Sequence, residues 1–358
     1  MGIIVAIIIF GIIVTVHEFG HFICAKLSGI KVIEFSVGMG PKLLQKKKGE
    51  TAYSLRLLPV GGYCAMEEDI ESDDPRNFRK AKLWKRVIVL AAGAFNNFVL
   101  GFIMIAILIC TLSGVPTNTV SGFVGVKNDD GTATYYAESY NTGLRKQDKI
   151  IRRDGTRVYS NLDINFLLAS GKDTFDLVVV RDGEKVELPD VRFHDNYYKE
   201  VEGTDSGGVY DFGLVYNKKN PLTVIKGSGD IFMSMSHIVG LSLKQLVSGE
   251  VSKDDVSGPV GVVSAISETT AQSKGLLDTI SSIAYMTALI TINIGIMNLL
   301  PIPGLDGGRL LFCLIEFVRR KPVKPEHEGY VHLAGMVLLF GIMIFATYND
   351  IVRLVTGG

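Results

Sequence analysis

Four long apolar runs constrain this sequence more than any other feature. They cover residues 3–27, 87–112, 280–300 and 331–348. A run of about 20 apolar residues can cross the hydrocarbon core of a bilayer as one helix, because each helical residue adds about 1.5 Å. We therefore expect a polytopic α-helical membrane protein with about four transmembrane helices. A composition that is 47% hydrophobic agrees with this expectation.

The Lys and Arg residues indicate how the chain is oriented in the membrane. They are dense in residues 28–86, between the first two runs, and again after the third run, where Arg319, Arg320 and Lys321 are consecutive. Loops rich in Lys and Arg stay in the cytoplasm. Both loops are therefore expected there, which places residues 113–275 outside the cytoplasm together with both termini.

The first apolar run contains the motif His17-Glu18-Phe19-Gly20-His21. Positions i and i+4 share one face of a helix, so His17 and His21 can bind one metal ion. Glu18 can then reach a water in the open coordination position, as in zinc hydrolases. The alternatives are a chance match and two histidines packed between helices without a metal. The second alternative would leave polar groups in hydrocarbon without partners.

A candidate third ligand follows the third apolar run. Asp306 lies just beyond Pro301 and Pro303, which interrupt the helix on the side of the membrane predicted for the two histidines. A carboxylate completes a zinc site that has two histidine ligands. The alternative is that Asp306 caps a cytoplasmic helix that begins at Gly307.

Two other segments read as β-structure. Residues 32–37 and 51–58 are rich in β-formers and flank a turn at Gly49. They form either a cytoplasmic hairpin on the helix ends or a sheet that dips towards the site with a free edge, and the pattern favours neither. Residues 121–189 contain short β-runs at 123–126, 149–152, 175–181 and 185–188, with a helix expected at 162–169.

Charge and cysteine content exclude several classes of protein. The formal net charge is zero, and no basic stretch with interleaved aromatics indicates a nucleic-acid partner. None of the four cysteines lies in the region expected outside the cell, so no disulfide scaffold is expected. Residues 191–220 read as a polar, β-rich linker, and residues 222–247 have the spacing of an amphipathic helix that lies on the outer membrane surface.

Together these motifs resemble the site-2 protease family of intramembrane zinc metalloproteases. The HExxH motif is followed by Asn298-x-x-Pro301-x-Pro303-x-Leu-Asp306-Gly, and the segment from Thr142 resembles the core of a PDZ domain. The similarity is closest to the bacterial RseP/RasP type, which trims anti-sigma factors and remnant signal peptides. Four further segments carry the resemblance: residues 35–41, 59–63, 93–98 and 257–261.

The resemblance implies a role for each matched residue. It implies that His17, His21 and Asp306 ligate Zn²⁺ and that Glu18 is the catalytic base. It also implies that residues 35–63 form a membrane-re-entrant β-loop. The substrate-binding residues that it implies are Asn298, Pro301, Pro303 and Asn97. This chain has one PDZ-like domain where some relatives have two, and the usual carboxylate-binding loop is not clear in it.

The resulting fold prediction is a polytopic helical membrane protein with a membrane-associated β-loop and an inserted extracytoplasmic PDZ-like α+β domain. The expected segments are 1–28, transmembrane helix 1; 29–82, β-loop and linker; 83–112, transmembrane helix 2; 113–200, PDZ-like domain; 201–275, linker and amphipathic helix; 276–327, transmembrane helix 3 with the Leu-Asp-Gly motif; and 328–358, transmembrane helix 4.

The predicted function is zinc-dependent cleavage of peptide bonds in or near transmembrane segments. The expected partners are the lipid bilayer and single-pass membrane proteins already cut by another protease, and the expected location is the bacterial cell membrane. The active site is expected near the cytoplasmic face, and the sequence does not define an oligomeric state. A membrane metal transporter and a non-catalytic PDZ scaffold are the alternatives.

Overall fold

The computed structural model describes residues 2–68, 72–123, 125–127, 133–135, 137–168, 174–192, 211–249 and 258–356. The chain forms two compact units. We call residues 1–104 and 242–358 the helical unit and residues 105–241 the sheet unit. Part of the predicted linker at 191–220 lies outside the described residues.

In chain order, the helices in the described part are α1 (Gly2–Leu27), α2 (Leu83–Thr111), α3 (Glu138–Asn141), α4 (Asn161–Leu168), α5 (Pro221–Ser248), α6 (Pro259–Ala271), α7 (Leu276–Leu299), α8 (Asp306–Arg319) and α9 (Pro325–Thr356). The strands there are β1 (Val32–Lys48), β2 (Thr51–Met66), β3 (Val115–Phe123), β4 (Gly125–Lys127), β5 (Ala133–Tyr135), β6 (Lys149–Arg153), β7 (Thr156–Arg157), β8 (Thr174–Arg181), β9 (Glu184–Arg192) and β10 (Phe212–Asn217).

Four helices of the described chain are long and apolar enough to cross a membrane, which confirms the number expected. They are α1, α2, α7 and α9. The fourth is much longer than the predicted run at 331–348, because its first turn contains Glu326 and Glu328, which lower the local hydropathy without interrupting the helix. Helix α6 was not predicted, and it packs its Ile266 against Ala6, Ile9 and Ile13 of α1.

Strands β1 and β2 pair through a short turn in which Gly49 has a positive φ of 62°. Each strand bends, so that residues 32–37 lie between residues 62–66 on one side and residues 52–55 on the other. Residues 42–48 pair with the first part of β2 and form the outer edge. The two predicted strands thus belong to one sheet, and residues 62–66 form its other edge.

The sheet unit is built on one antiparallel sheet with the strand order β10-β3-β6-β8-β9, and β7 pairs with β6. Side chains of β8 alternate, and Phe175, Leu177 and Val179 point into the core, as the period of two in a strand requires. The predicted β-runs at 149–152, 175–181 and 185–188 lie within β6, β8 and β9, whereas the run at 123–126 is divided between β3 and β4.

Two further observations concern the limits of the sheet unit. Strand β10 pairs with β3, so the sheet continues beyond the expected domain end at residue 200. The predicted helices at 162–169 and 222–247 correspond to α4 and α5. The PDZ-like identity of this unit stays a prediction.

Candidate metal centre

Three side chains of the helical unit converge on one point. His17 and His21 lie one helical turn apart on the same face of α1, and their Nε2 atoms are 3.1 Å apart. The Asp306 Oδ2 atom lies 3.1 Å from His17 Nε2 and 3.2 Å from His21 Nε2. Zn–ligand bonds of about 2.1 Å place tetrahedral ligand atoms about 3.4 Å apart, so three ligand atoms at this spacing match the size of such a site.

A single stripe of α2 faces the two histidines. It consists of Val89, Gly93 and Asn97, which are spaced four residues apart. The backbone oxygen of Val89 lies 2.7 Å from His21 Nδ1, and the Asn97 amide lies 3.2 Å from His17 Nδ1. A Cβ atom on Gly93 would come within 2.4 Å of His21 Nε2 and 2.6 Å of His17 Nε2. Glycine at this position therefore keeps space open beside both nitrogens.

The partners of Nδ1 fit a metal on Nε2. A backbone carbonyl only accepts hydrogen bonds, so His21 Nδ1 carries the proton and its Nε2 has a free lone pair. The buried Asn97 Oδ1 has no hydrogen-bond partner among the described residues. An amide turned by 180° would place this oxygen on His17 Nδ1–H and leave His17 Nε2 free as well. Metal-ligating histidines are commonly held by such a second hydrogen bond.

Asp306 is the first residue of α8, and it does not serve as the helix cap. The residue at the cap position is Leu305, without a side-chain hydrogen bond, and the Asp306 carboxylate points to the histidines instead. The capping alternative is therefore wrong for this structure. The close approach of the chain before α8 needs glycine at position 307, where a Cβ atom would lie 2.0 Å from the Leu300 oxygen.

Helix α9 and the segment after β2 fix the loop that carries Asp306. His332 of α9 accepts a hydrogen bond of 2.9 Å from the backbone N–H of Gly304, whose φ is +98°. The Arg309 guanidinium donates to both carboxylate oxygens of Glu68, at 3.0 and 2.7 Å. These contacts hold the start of α8 in one position, which a metal ligand requires.

Glu18 lies beside the two histidines without belonging to the group of three. Its Oε2 atom accepts a hydrogen bond of 2.9 Å from the backbone N–H of Cys64. Cys64 belongs to residues 62–66, the edge of the β1–β2 sheet. A carboxylate therefore lies between the candidate metal ligands and a strand edge.

The structure separates the predicted substrate-binding residues into two groups. Asn298 is half-buried in the last turn of α7, and Pro301 and Pro303 lie in the connection to α8. Asn97 is fully buried against His17. Position 97 therefore supports a ligand rather than lining an open surface.

The sequence analysis did not identify Gly93 or His332 as contributors to this site, and it assigned Asn97 to substrate binding instead of to the support of His17. Gly93 and Asn97 are four residues apart in an apolar helix, and such a pair of small and polar residues on one face is a signal that could have revealed the stripe. His332 gave no comparable signal, because its partner is a backbone N–H that lies 28 residues away.

Comparisons with known proteins agree with this geometry. The model of peptidase family M50 matches residues 5–342. A protein from Clostridium perfringens that is named as a candidate zinc metalloprotease is 34% identical over 359 residues, which cover 98% of this chain and 99% of the relative. A similarly named protein from Clostridium acetobutylicum is 32% identical, with 98% and 97% covered. The candidate protease Eep of Enterococcus faecalis is 30% identical, with 98% and 99% covered.

The chain belongs to peptidase family M50, the site-2 protease family. It is a zinc metalloprotease, and its apolar helices are those of a multi-pass membrane protein. These findings confirm the family, the enzyme class and the metal that the motifs predicted. The roles of the individual residues stay predictions.

Proposed function

We propose that this protein is an intramembrane endopeptidase whose zinc is held by His17, His21 and Asp306. The observation that carries the proposal is the convergence of these three ligand atoms at a helix of membrane length, with Glu18 beside them. Polar groups in such a helix need partners, and one metal ion would satisfy all three at once.

Each residue of the site has one task in the proposed reaction. A zinc ion held there would supply Lewis-acid polarisation of a carbonyl and would make water a stronger nucleophile. Glu18 removes a proton from the attacking water and later delivers it to the departing amine nitrogen. The backbone N–H of Cys64 holds the Glu18 carboxylate at the strand edge. Asn97 orients His17, and Asn298 contacts the substrate or its reacting carbonyl.

The β1–β2 sheet supports a mode of substrate binding. The carbonyl groups of a transmembrane helix are engaged in its own hydrogen bonds, so a substrate helix must unwind before cleavage. Residues 62–66 form a sheet edge next to Glu18, and an extended substrate can pair with such an edge. Pro301 and Pro303 lie in the connection between α7 and α8, where they prevent the helix from continuing.

The wider setting follows from the charge pattern of the sequence. We place the active site near the cytoplasmic face of the bacterial cell membrane and the sheet unit outside the cytoplasm. The sheet unit acts as a PDZ-like filter for single-pass membrane proteins that another protease has already shortened, such as anti-sigma factors or remnant signal peptides.

The test is the replacement Glu18→Gln in the purified full-length protein. The amide keeps the size of the side chain but cannot take up a proton, so cleavage of a model transmembrane peptide should fall at least about a hundredfold. Zinc content should not change, because Glu18 is not a ligand. Glu326→Gln is the matched control, since Glu326 is exposed on α9.

Four outcomes would contradict the proposal. Loss of zinc from Glu18→Gln would make Glu18 a ligand instead of the base. Full cleavage by Glu18→Gln would give the base to another residue. Metal uptake into vesicles without any peptide cleavage by the wild type would favour a transporter, and the absence of both activities would favour a scaffold.

A further inference from the structure

The sheet unit contains a cavity of about 390 Å³ between its sheet and the start of α5. Five cations line this cavity: Lys149, Arg152, Arg157, Lys185 and Lys226. One acid, Asp230, lines it as well. Among the described residues that line this concave space, the cations therefore outnumber the acids by four.

These cations are not held in salt bridges by other described residues. No ion pair within the described residues includes any of the five. The Arg157 guanidinium lies 4.8 Å from the centre of the Tyr159 ring and is held there by cation–π contact. Asp230 is half-buried, and burial raises its pKa by more than the nearby Lys226 and Lys149 lower it. Like charges around a concavity repel each other and attract an anion.

The start of α5 lies at the end of a membrane helix. Lys219 Nζ donates hydrogen bonds of 3.0 and 2.8 Å to the backbone oxygens of Cys110 and Leu112, at the end of α2. A Cβ atom on Gly227 would lie 2.3 Å from Val115 Cγ1 and 3.4 Å from Ile109 Cδ1. Residues 219–227 therefore lie beside the last turn of α2, at the end of a helix long and apolar enough to cross a membrane.

The outer surface of this segment is apolar. Leu222 is 76% exposed and Ile225 is 61% exposed, and Tyr216 near the end of β10 is exposed as well. Exposed apolar side chains next to lysines at the end of a membrane helix are typical of segments that lie in the lipid headgroup region. Lys226 follows Ile225 directly and lines the cavity, so the cavity begins at headgroup level.

We propose that this cavity binds the phosphate headgroup of an anionic phospholipid at the membrane surface. Arg and Lys side chains match a phosphodiester in charge and hydrogen-bonding geometry, and the exposed Leu222 and Ile225 contact the upper part of the acyl chains. The lipid anchors the sheet unit at the end of α2. The proposed membrane topology determines only which leaflet supplies the lipid. Lipid binding does not require the proposed protease activity.

The experiment uses the full-length protein in detergent, titrated with short-chain phosphatidylglycerol. Native mass spectrometry counts the bound lipids, and short-chain phosphatidylcholine is the zwitterionic comparison. The test variant is Arg152→Gln/Lys226→Gln. The matched control is Lys146→Gln/Arg192→Gln, which removes one Lys and one Arg that are exposed and do not line the cavity. Zinc content and elution volume show that each variant is folded.

We expect the wild type to bind phosphatidylglycerol in preference to phosphatidylcholine. The test variant should bind phosphatidylglycerol about thirtyfold more weakly, while the control should bind it like the wild type. Because the signal is bound lipid and not cleavage, an inactive enzyme would leave the result unchanged.

Four results would overturn the proposal. Equal binding by the test and control variants would show that the cavity is not the site. Equal binding of the two lipids by the wild type would show that net charge is not recognised. Inorganic phosphate that binds the cavity as tightly as phosphatidylglycerol would identify a free-anion site. An acidic peptide that binds there in place of phosphatidylglycerol would identify a protein partner.

Discussion

Two clusters of this protein contain the same residue types and differ in what those residues do. In the helical unit, the Nε2 atoms of His17 and His21 and the Oδ2 atom of Asp306 converge on one point. In the sheet unit, Asp163 and His237 are also in contact, with His237 Nδ1 3.1 Å from Asp163 Oδ1. Among the described residues, only the first cluster has the spacing of a metal site.

The carboxylate of the sheet unit is already satisfied by donors. Asp163 Oδ2 accepts hydrogen bonds from the backbone N–H groups of Tyr159 and Ser160, at 2.8 and 3.1 Å, and from the Ser234 hydroxyl. These contacts join α4 to α5. In the helical unit the Asp306 carboxylate meets two imidazole nitrogens whose other ring nitrogens are already occupied.

The comparison shows that the hydrogen-bond donors around a carboxylate, and not the residue types in the cluster, distinguish a metal site from a structural network. A carboxylate surrounded by N–H and O–H donors needs no ion. A carboxylate beside two imidazole lone pairs brings three hydrogen-bond acceptors together. Only a metal cation or added protons can satisfy these three groups. This distinction predicts opposite effects for the same substitution in the two clusters.

The largest expected effect is that of Asp306→Asn. The neutral amide is a weak zinc ligand, so zinc content and peptide cleavage should both fall, cleavage by more than about a hundredfold. Asp163→Asn is the matched change in the other cluster. It should keep zinc and cleavage but lower the free energy of unfolding by about 1–3 kcal/mol, because an amide NH₂ group would face existing donors. Zinc analysis, cleavage assays and thermal melting measure all three quantities. Normal zinc in Asp306→Asn would remove Asp306 from the ligand set.

Local patterns in the sequence predicted a large part of this picture. The spacing of His17 and His21 needs only one helix, and the four apolar runs need only composition. The proximity of Asp306 to His17 could be expected but not demonstrated, because it depends on packing between residues 289 positions apart. The family resemblance supplied that link.

Long-range packing explains what the sequence did not reveal. The role of Asn97 depends on which face of α2 meets α1, and the hydropathy of an apolar helix does not mark that face. Helix α6 contains Ser, Thr and Glu residues that make its sequence polar, although Ile266 is buried on α1. The bend in β1, which pairs it on two sides, follows from bulges that residue alternation does not predict.

A smaller effect is expected for Gly93→Ala, which tests the space beside the histidines. In most helices this change stabilises by up to about 1 kcal/mol. Here the new methyl group would press on both Nε2 atoms, so we expect zinc affinity to fall about tenfold or more. Gly229→Ala in α5 is the matched control, because a Cβ atom there would meet nothing within 4 Å. Zinc titration with a chelator measures the difference, and equal affinity in the two variants would contradict the role of Gly93.

The smallest effect concerns a carboxylate of the sheet unit that lies outside both clusters. Asp211 is fully buried, and one of its oxygens accepts a hydrogen bond of 2.9 Å from the Ser139 backbone N–H. Its other oxygen has no partner among the described residues. Burial raises the pKa of Asp211 above its ordinary value, more than the hydrogen bonds from Ser139 lower it. The fold therefore favours the protonated form, and the stability that this form contributes is complete below the pKa of the unfolded chain.

That contribution is lost as the pH rises through the pKa of the folded state. Asn at position 211 is neutral at every pH and keeps an oxygen for the Ser139 N–H. The difference in melting temperature between the wild type and Asp211→Asn should therefore change as the pH rises above about 4, the ordinary pKa of Asp, with the variant gaining relative stability. Asp190→Asn is the control, since Asp190 is exposed and its positive φ of 53° suits asparagine. A difference between wild type and Asp211→Asn that stays constant with pH would show that Asp211 ionises in the fold as it does in the unfolded chain.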